Sequence, residues 1–106
     1  FTFSYMDILN SIEFSPGKPT VLQIKKTDTI RMFCVALGKD QLLHKHQAKV
    51  PSLLLVLKGS VDFLIRGEVI TLQELETYQI PVNTDHEVKG RLDQNIILIT
   101  QELKSF

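Results

Sequence analysis

The three histidines of this 106-residue chain fall at two places in the sequence. His44 and His46 are separated by one residue in the segment 38–59, GKDQLLHKHQAKVPSLLLVLKG, and His86 lies in the segment 75–90, LETYQIPVNTDHEVKG. Because alternate residues of a β-strand point to the same face, a strand through His44 and His46 would direct both imidazoles to one side. Neutral imidazole is a common ligand of transition metals. The spacing indicates a metal-binding pair that His86 would complete.

Three imidazoles on converging strands leave coordination positions open for water or substrate. Such a site suits a divalent ion of zinc, iron, nickel, copper or manganese. The competing interpretation is that His44 and His46 are polar residues on a solvated strand face and bind nothing. The residues alone leave both interpretations open.

Short strands must position these histidines. Segments rich in β-branched, aromatic or alternating apolar residues predict strands at 21–26, 29–37, 52–58, 61–65, 68–72, 78–82, 86–90 and 95–102, with another strand through the His44 pair. Arg66 and Gly67 fit a two-residue hairpin turn. A short helix is predicted over residues 5–12, with Ser4 as its N-cap, and SPGKP at 15–19 ends it.

Regularly spaced strands with glycine and proline at the corners predict an all-β sandwich or barrel. No helix-length amphipathic segments separate the strands, which excludes a parallel α/β architecture. We expect a single domain over residues 1–106, with a helix and arm at 1–19 and a β-barrel at 20–102.

The histidine segments resemble the two motifs of the cupins. The first cupin motif runs glycine, five residues, His-x-His, three or four residues, glutamate, six residues and glycine. The second runs glycine, five residues, Pro-x-Gly, two residues and histidine. The positions that match are Gly38, His44, His46, Gly59, Pro81 and His86, with Asn83 in place of a glycine. The resemblance implies a double-stranded β-helix, or jelly-roll barrel, and a divalent transition metal held by His44, His46 and His86.

Two positions depart from the cupin pattern. Ser52 stands seven residues before Gly59, where the first motif has its glutamate ligand, so one carboxylate is missing from the metal site. Ser52 is either a small core-facing residue or a hydrogen-bonding partner of a metal-bound water. Leu75 stands where the second motif opens with glycine, so we expect a different turn there. Asn83 is a mild change, because asparagine also tolerates positive φ.

A substrate pocket is expected inside the barrel, where inward positions recur in steps of two. All of its candidates are core residues first, and Tyr78 is either a packing residue or a proton donor. The candidate pocket residues are Ser52, Leu54, Val56, Phe63, Tyr78 and Val88.

Two functions follow from these observations. The resemblance implies a metal-dependent dioxygenase or isomerase acting on a small acidic substrate, since three-histidine cupins resemble thiol and diketone-cleaving dioxygenases. The alternative is a non-catalytic module that binds or senses a small ligand such as a sugar, with or without metal.

The composition of the chain restricts the classes of partner that the protein is expected to bind. Lysine plus arginine and aspartate plus glutamate number 12 each, so no bulk charge attracts nucleic acid or anionic lipid. No apolar run approaches the ~18 residues of a membrane span, and no signal peptide is visible. The single cysteine, Cys34, has apolar neighbours that predict a buried side chain, and it suits a reducing, cytoplasmic location. Cupin barrels commonly pair through edge strands, so the resemblance implies a homodimer that forms through the exposed edge strand at 21–26.

Overall fold

The computed structural model of the chain describes residues 5–103. The strands are β1 Thr20–Lys26, β2 Ile30–Gly38, β3 Leu42–Gln47, β4 Ser52–Lys58, β5 Ser60–Ile65, β6 Glu68–Gln73, β7 Thr77–Ile80, β8 Asp85–Gly90 and β9 Gln94–Glu102. They form two antiparallel sheets with orders β1-β2-β9-β4-β7 and β3-β8-β5-β6. The predicted all-β class is confirmed.

The β5–β6 hairpin has the turn that its residues predict. Ile65 pairs with Glu68, so the loop contains two residues. Arg66 and Gly67 have φ values of 52° and 76°. Positive φ at both positions is typical of the turns whose twist matches that of the flanking strands.

The N-terminal helix is shorter than the segment 5–12 that we predicted. Helix α1 spans Ile8–Ser11, a single turn. Its N-cap is Asp7, whose side chain accepts a hydrogen bond from the Asn10 amide at 3.2 Å. Ser4, the predicted cap, lies outside the described residues. Ile12 is already extended and ends the helix. Within residues 5–103, no helix is both long enough and apolar enough to cross a membrane.

The main core fills the space between the two sheets. It is built from the residues that face inward at alternate positions along the strands. Each such large side chain contributes about 1.5–3 kcal/mol when it is buried. Its buried members are Val35, Leu37, Leu54, Val56, Val61, Phe63, Ile65, Leu72, Ile80, Val88, Ile97 and Ile99.

A second apolar cluster lies on the outer face of the five-stranded sheet. Cys34 and Ala36 alternate with the core residues of β2 and so point outward, where the N-terminal arm covers them. Burial raises the pKa of the Cys34 thiol to about 11, and the predicted burial of this side chain is confirmed. The remaining members are Ile8, Ile12, Phe14, Leu22, Ile24, Leu57, Ile96 and Leu98.

One end of the barrel is closed around Asn95, whose side chain is fully buried. Its Oδ1 accepts hydrogen bonds from the Ser60 amide at 2.9 Å and the Leu92 amide at 3.2 Å. Its Nδ2 donates to the carbonyl oxygens of Leu37 at 2.9 Å and Leu92 at 2.8 Å. The amide thus ties β9 to β2 and β5 with its whole hydrogen-bonding capacity. We call this the Asn95 end.

Glycines allow the strands to approach each other at the Asn95 end. A Cβ on Gly90 would collide with the carbonyl oxygen of Gly38 and lie 2.8 Å from Asn95 Nδ2. A Cβ on Gly59 would collide with Asn95 Oδ1, and Gly59 also has a φ of 78°. Gly59 and Gly90 therefore allow the closure of this end, where the Gly38 carbonyl packs against Gly90.

We expected the turn between β6 and β7 to be built differently, because leucine stands in place of its glycine. The structure does not show such a difference in the backbone at Leu75. Leu75 adopts a φ of 67°, in the left-handed region that favours glycine. Its amide donates to the Val56 carbonyl at 2.7 Å, while its side chain is 77% exposed. The backbone therefore keeps the glycine-like conformation and leucine adopts it under strain.

Candidate functional site

Two of the three histidines meet at the end of the barrel opposite to Asn95. His46 on β3 pairs with His86 on β8, and their ring centroids are 4.3 Å apart. His86 is buried, with 3% of its surface exposed, whereas His46 is exposed. The pair thus has one member in the barrel interior and one toward solvent. We call this the histidine end.

His44 does not join the pair, because β3 contains a bulge. Leu43 pairs with Val88 and His46 with His86, so two residues of β3, His44 and Lys45, lie opposite one residue of β8. The additional residue interrupts the period of two on which the His44-x-His46 prediction depended. His44 is exposed and lies outside the lining of the interior cavity.

Backbone carbonyls orient both rings of the pair. His46 Nδ1 lies 2.8 Å from the carbonyl oxygen of His44, and His86 Nδ1 lies 3.0 Å from that of Thr84. A carbonyl oxygen only accepts hydrogen bonds, so each Nδ1 must carry the proton. In the neutral ring Nε2 then has a free lone pair, which can accept a hydrogen bond or bind a cation.

Burial keeps His86 neutral. It lowers the pKa of this imidazole below its ordinary value, and the neighbouring His46 adds to the effect, while the Thr84 carbonyl and Asp85 oppose it. The ring also stacks on Phe63 with centroids 5.5 Å apart. His86 is therefore a fixed, uncharged acceptor.

The pair borders a cavity of about 180 Å³ between the sheets. An engineered apolar cavity of about 150 Å³ is known to hold benzene, so this one suits a ligand the size of a single ring. Its wall is mostly apolar. The lining residues are Phe33, Leu43, His46, Ala48, Ser52, Ile80, His86, Val88, Ile99 and Gln101.

Ser52 and Gln101 bring polar atoms to the cavity from the other sheet. They are direct neighbours on β4 and β9. Ser52 Oγ donates to the Val50 carbonyl at 3.1 Å, and Gln101 Nε2 donates to Ser52 Oγ at 3.3 Å. The sequence analysis missed Gln101. The signal was present, since Gln101 continues the inward alternation of Ile97 and Ile99 along β9.

The predicted pocket residues fall into two groups. Ser52 and Val88 line the cavity. The other four pack in or against the main core outside that lining, and Tyr78 contacts Phe63 with ring centroids 4.6 Å apart. These four are Leu54, Val56, Phe63 and Tyr78. No bound ligand tests the pocket assignment, which stays a prediction.

As the side chains stand, the donor set at the histidine end is incomplete for a resident transition metal. Among residues 5–103, no group of three or more histidine, cysteine, aspartate or glutamate side chains is arranged to hold a metal ion. Catalytic metal sites normally use three protein ligands, and the cavity offers two imidazoles. A three-histidine site would require His44 to turn toward His46 and His86, and it stays a prediction.

A surface groove of about 450 Å³ lies on the other side of His86. Charged residues line it, including Lys45 and Asp85, whose side chains lie 3.6 Å apart. A hydrogen bond from Gln47, followed by the charge of Lys45, lowers the pKa of Asp85. His86 borders both spaces, so it separates the uncharged cavity from a charged exterior.

Solved structures with the cupin fold match most of this chain. A cupin superfamily protein from Desulfitobacterium hafniense has a TM-score of 0.80 at 14% identity, over 88% of this chain and 84% of its own. KdgF from a Halomonas species has a TM-score of 0.78 at 16% identity, over 89% and 86%. A double-stranded β-helix protein from Klebsiella pneumoniae has a TM-score of 0.85 at 12% identity, over 95% and 90%.

No protein-family model matches the sequence, and no curated protein matches it. Structural likeness at such low identity shows the fold alone. The predicted double-stranded β-helix cupin fold is therefore confirmed, and the function has to be argued from the residues of the site.

Proposed function

On the premise of a cupin fold, we propose that this protein binds a small molecule inside the barrel and acts as a binding or sensing module. The observation that carries the proposal is the cavity of about 180 Å³ with two oriented imidazoles at its edge. A small cavity with mostly apolar walls and a few convergent polar groups is the usual form of a ligand site.

The walls and the histidines have different tasks in this proposal. Apolar side chains such as Phe33, Ile80 and Ile99 remove the body of the ligand from water. The free Nε2 atoms of His46 and His86 accept hydrogen bonds from its polar group. A ligand the size of one ring gains little total contact, so we expect an affinity between about millimolar and micromolar.

The test uses phenol as the probe and a substitution that fills the cavity. Ala48 lines the cavity and is buried, so Ala48→Phe should occupy the space and abolish the binding of phenol measured by ligand-observed NMR. The matched control is Val69→Phe, because Val69 is exposed and lies outside the cavity lining. Equal binding of phenol by wild type and Ala48→Phe would refute the proposal.

The second candidate is a metal-dependent dioxygenase or isomerase for a small acidic substrate. The orientation of both rings through Nδ1 supports it, since histidines that bind metals usually donate their other ring nitrogen in this way. The metal would be a divalent ion of iron, zinc, nickel, copper or manganese, held by His44, His46 and His86.

Elemental analysis of protein purified without chelator or nickel resin tests this candidate. A near-stoichiometric metal that is lost in both His44→Ala and His86→Ala would establish the three-histidine site. Metal that is lost only in His86→Ala would exclude His44 as a ligand. Absence of metal from the wild type, even after reconstitution, would refute the candidate.

We also propose a homodimer that forms through β1. This strand is the edge of the five-stranded sheet, and Val21 on it is 60% exposed. Light scattering at micromolar concentration should give twice the chain mass of 12.1 kDa, and Val21→Lys should reduce it to the monomer. Val69→Lys, on the edge strand of the other sheet, is the matched control. A wild-type mass near 12.1 kDa would contradict this proposal.

A further inference from the structure

Among residues 5–103, no charged side chain lines the interior cavity. The lining residues in this range include no aspartate, glutamate, lysine or arginine. A carboxylate placed there would lose its hydration without gaining a cation, and burying an unpaired charge is costly. The free lone pairs of the two imidazoles would also repel an anion. The lining therefore favours an uncharged ligand.

The polar groups of the cavity stand on two opposite walls. His46 and His86 come from β3 and β8 in the four-stranded sheet. Ser52 and Gln101 come from β4 and β9 in the five-stranded sheet. The remaining lining residues are apolar. A ligand that fills the cavity therefore touches a polar group at each of two ends and apolar side chains between them.

Gln101 is the residue of the second wall that has bonding capacity to spare. The Ser52 hydroxyl already donates its proton to the Val50 carbonyl and accepts from Gln101 Nε2. In its contacts with residues 5–103, Gln101 uses one N–H in that bond and keeps a second N–H and the two lone pairs of Oε1. Its side chain can therefore accept from a ligand or donate to it.

We infer that the cavity selects an uncharged ligand of one-ring size with a hydroxyl-type group at each end, and that Gln101 recognises the end away from the histidines. This inference rests on the proposed binding function and names its ligand class. Gln101 is then a specificity-determining residue. A neutral hydrogen bond contributes about 0.5–1.5 kcal/mol net, which corresponds to an affinity gain of about two- to tenfold.

Phenol, hydroquinone and benzoate distinguish the possibilities, since they share one ring and differ in their polar groups. The dissociation constants are measured anaerobically by NMR titration at pH 8, above the ordinary pKa of histidine. We expect hydroquinone to bind about fivefold more tightly than phenol. We expect benzoate to bind at least tenfold more weakly than phenol.

Variants of Gln101 assign the advantage of hydroquinone to this side chain. In Gln101→Leu and Gln101→Met, the affinities for hydroquinone and phenol should become equal within about twofold. The matched control is Thr100→Val, because Thr100 is the neighbouring residue on the outer face of β9. It should keep the full difference between the two ligands.

Three results would overturn the inference. The first is that hydroquinone binds the wild type no better than phenol, the second is that its advantage persists in both Gln101 variants, and the third is that benzoate binds best. Each of these leaves the proposed binding function standing. Failure of all three probes to bind the folded wild type would refute the inference and the proposed function together.

Discussion

The two ends of this barrel use polar residues in opposite ways. At the Asn95 end, one buried amide has all of its hydrogen-bonding groups paired within the chain. At the histidine end, His46 and His86 each use one ring nitrogen for the backbone and leave the other for a ligand. The first arrangement stabilises the fold, and the second keeps bonding capacity available for binding.

The same difference divides the residues of the two motifs. Gly38 and Gly59 lie at the Asn95 end, where a Cβ on Gly59 would collide with Asn95 Oδ1. His46 and His86 lie at the histidine end, around the cavity. The first motif therefore contributes residues both to the closed Asn95 end and to the cavity at the histidine end. Substitutions at the two ends should have different consequences.

The largest effect is expected from Gly90→Ala at the Asn95 end. The added methyl group would collide with the Gly38 carbonyl oxygen, and backbone cannot move aside as a flexible side chain can. We expect the free energy of unfolding to fall by about 3 kcal/mol in chemical denaturation. Gly17→Ala is the control, because no atom lies within 4 Å of its added Cβ. Equal stability of the two variants would contradict the proposed role of Gly90.

Asn95→Leu should have the next largest effect. Leucine keeps the branching at Cγ, but it leaves the Ser60 amide and the Leu37 carbonyl buried without their partner. We expect a loss of about 2–3 kcal/mol in the free energy of unfolding. The comparison is Ser52→Ala at the histidine end, which should cost about 1 kcal/mol or less. If Ser52→Ala is the more destabilising change, the contrast between the two ends is wrong.

At the same Asn95 end, Leu75→Gly should have the opposite effect to the two preceding substitutions and stabilise the protein. The substitution removes the strain of a φ of 67° and exposes almost no new apolar surface. The greater chain entropy of unfolded glycine offsets part of the gain, so we expect a net increase of about 0.5 kcal/mol. Leu92→Gly is the control, since Leu92 is also exposed but is not among the residues with positive φ. It should destabilise the protein.

The histidine end should make stability depend on pH. The pKa of His86 is lowered in the folded state, so the unfolded chain binds more protons in the interval from pH 6.5 down to that lowered pKa. The stability present above pH 6.5 should therefore fall as the pH falls through this interval. His86→Leu should flatten this part of the pH profile, whereas His44→Gln, at an exposed position, should preserve it. An unchanged slope in His86→Leu would refute the assignment.

The sequence predicted the strands well because their signals are local. Alternation and turn residues located the β5–β6 hairpin and its Arg66-Gly67 turn, and the resemblance indicated the cupin fold. The β3 bulge was not predictable in this way, since it depends on how two distant strands pair. For the same reason the sequence did not indicate that His44 lies apart from His46 and His86. Gln101 was overlooked because polarity near a strand end usually signals solvent exposure.

The N-terminal arm gives the molecule a built-in chemical reporter. Cys34 is the only cysteine in the chain, and it lies beneath Ile12 and its neighbours on the outer sheet face. A thiol reagent needs contact with the thiolate, and here burial withholds both access and ionisation. The labelling rate of Cys34 would therefore report how often the arm detaches transiently from the sheet. Detachment could thus be timed separately from the unfolding of the barrel beneath it.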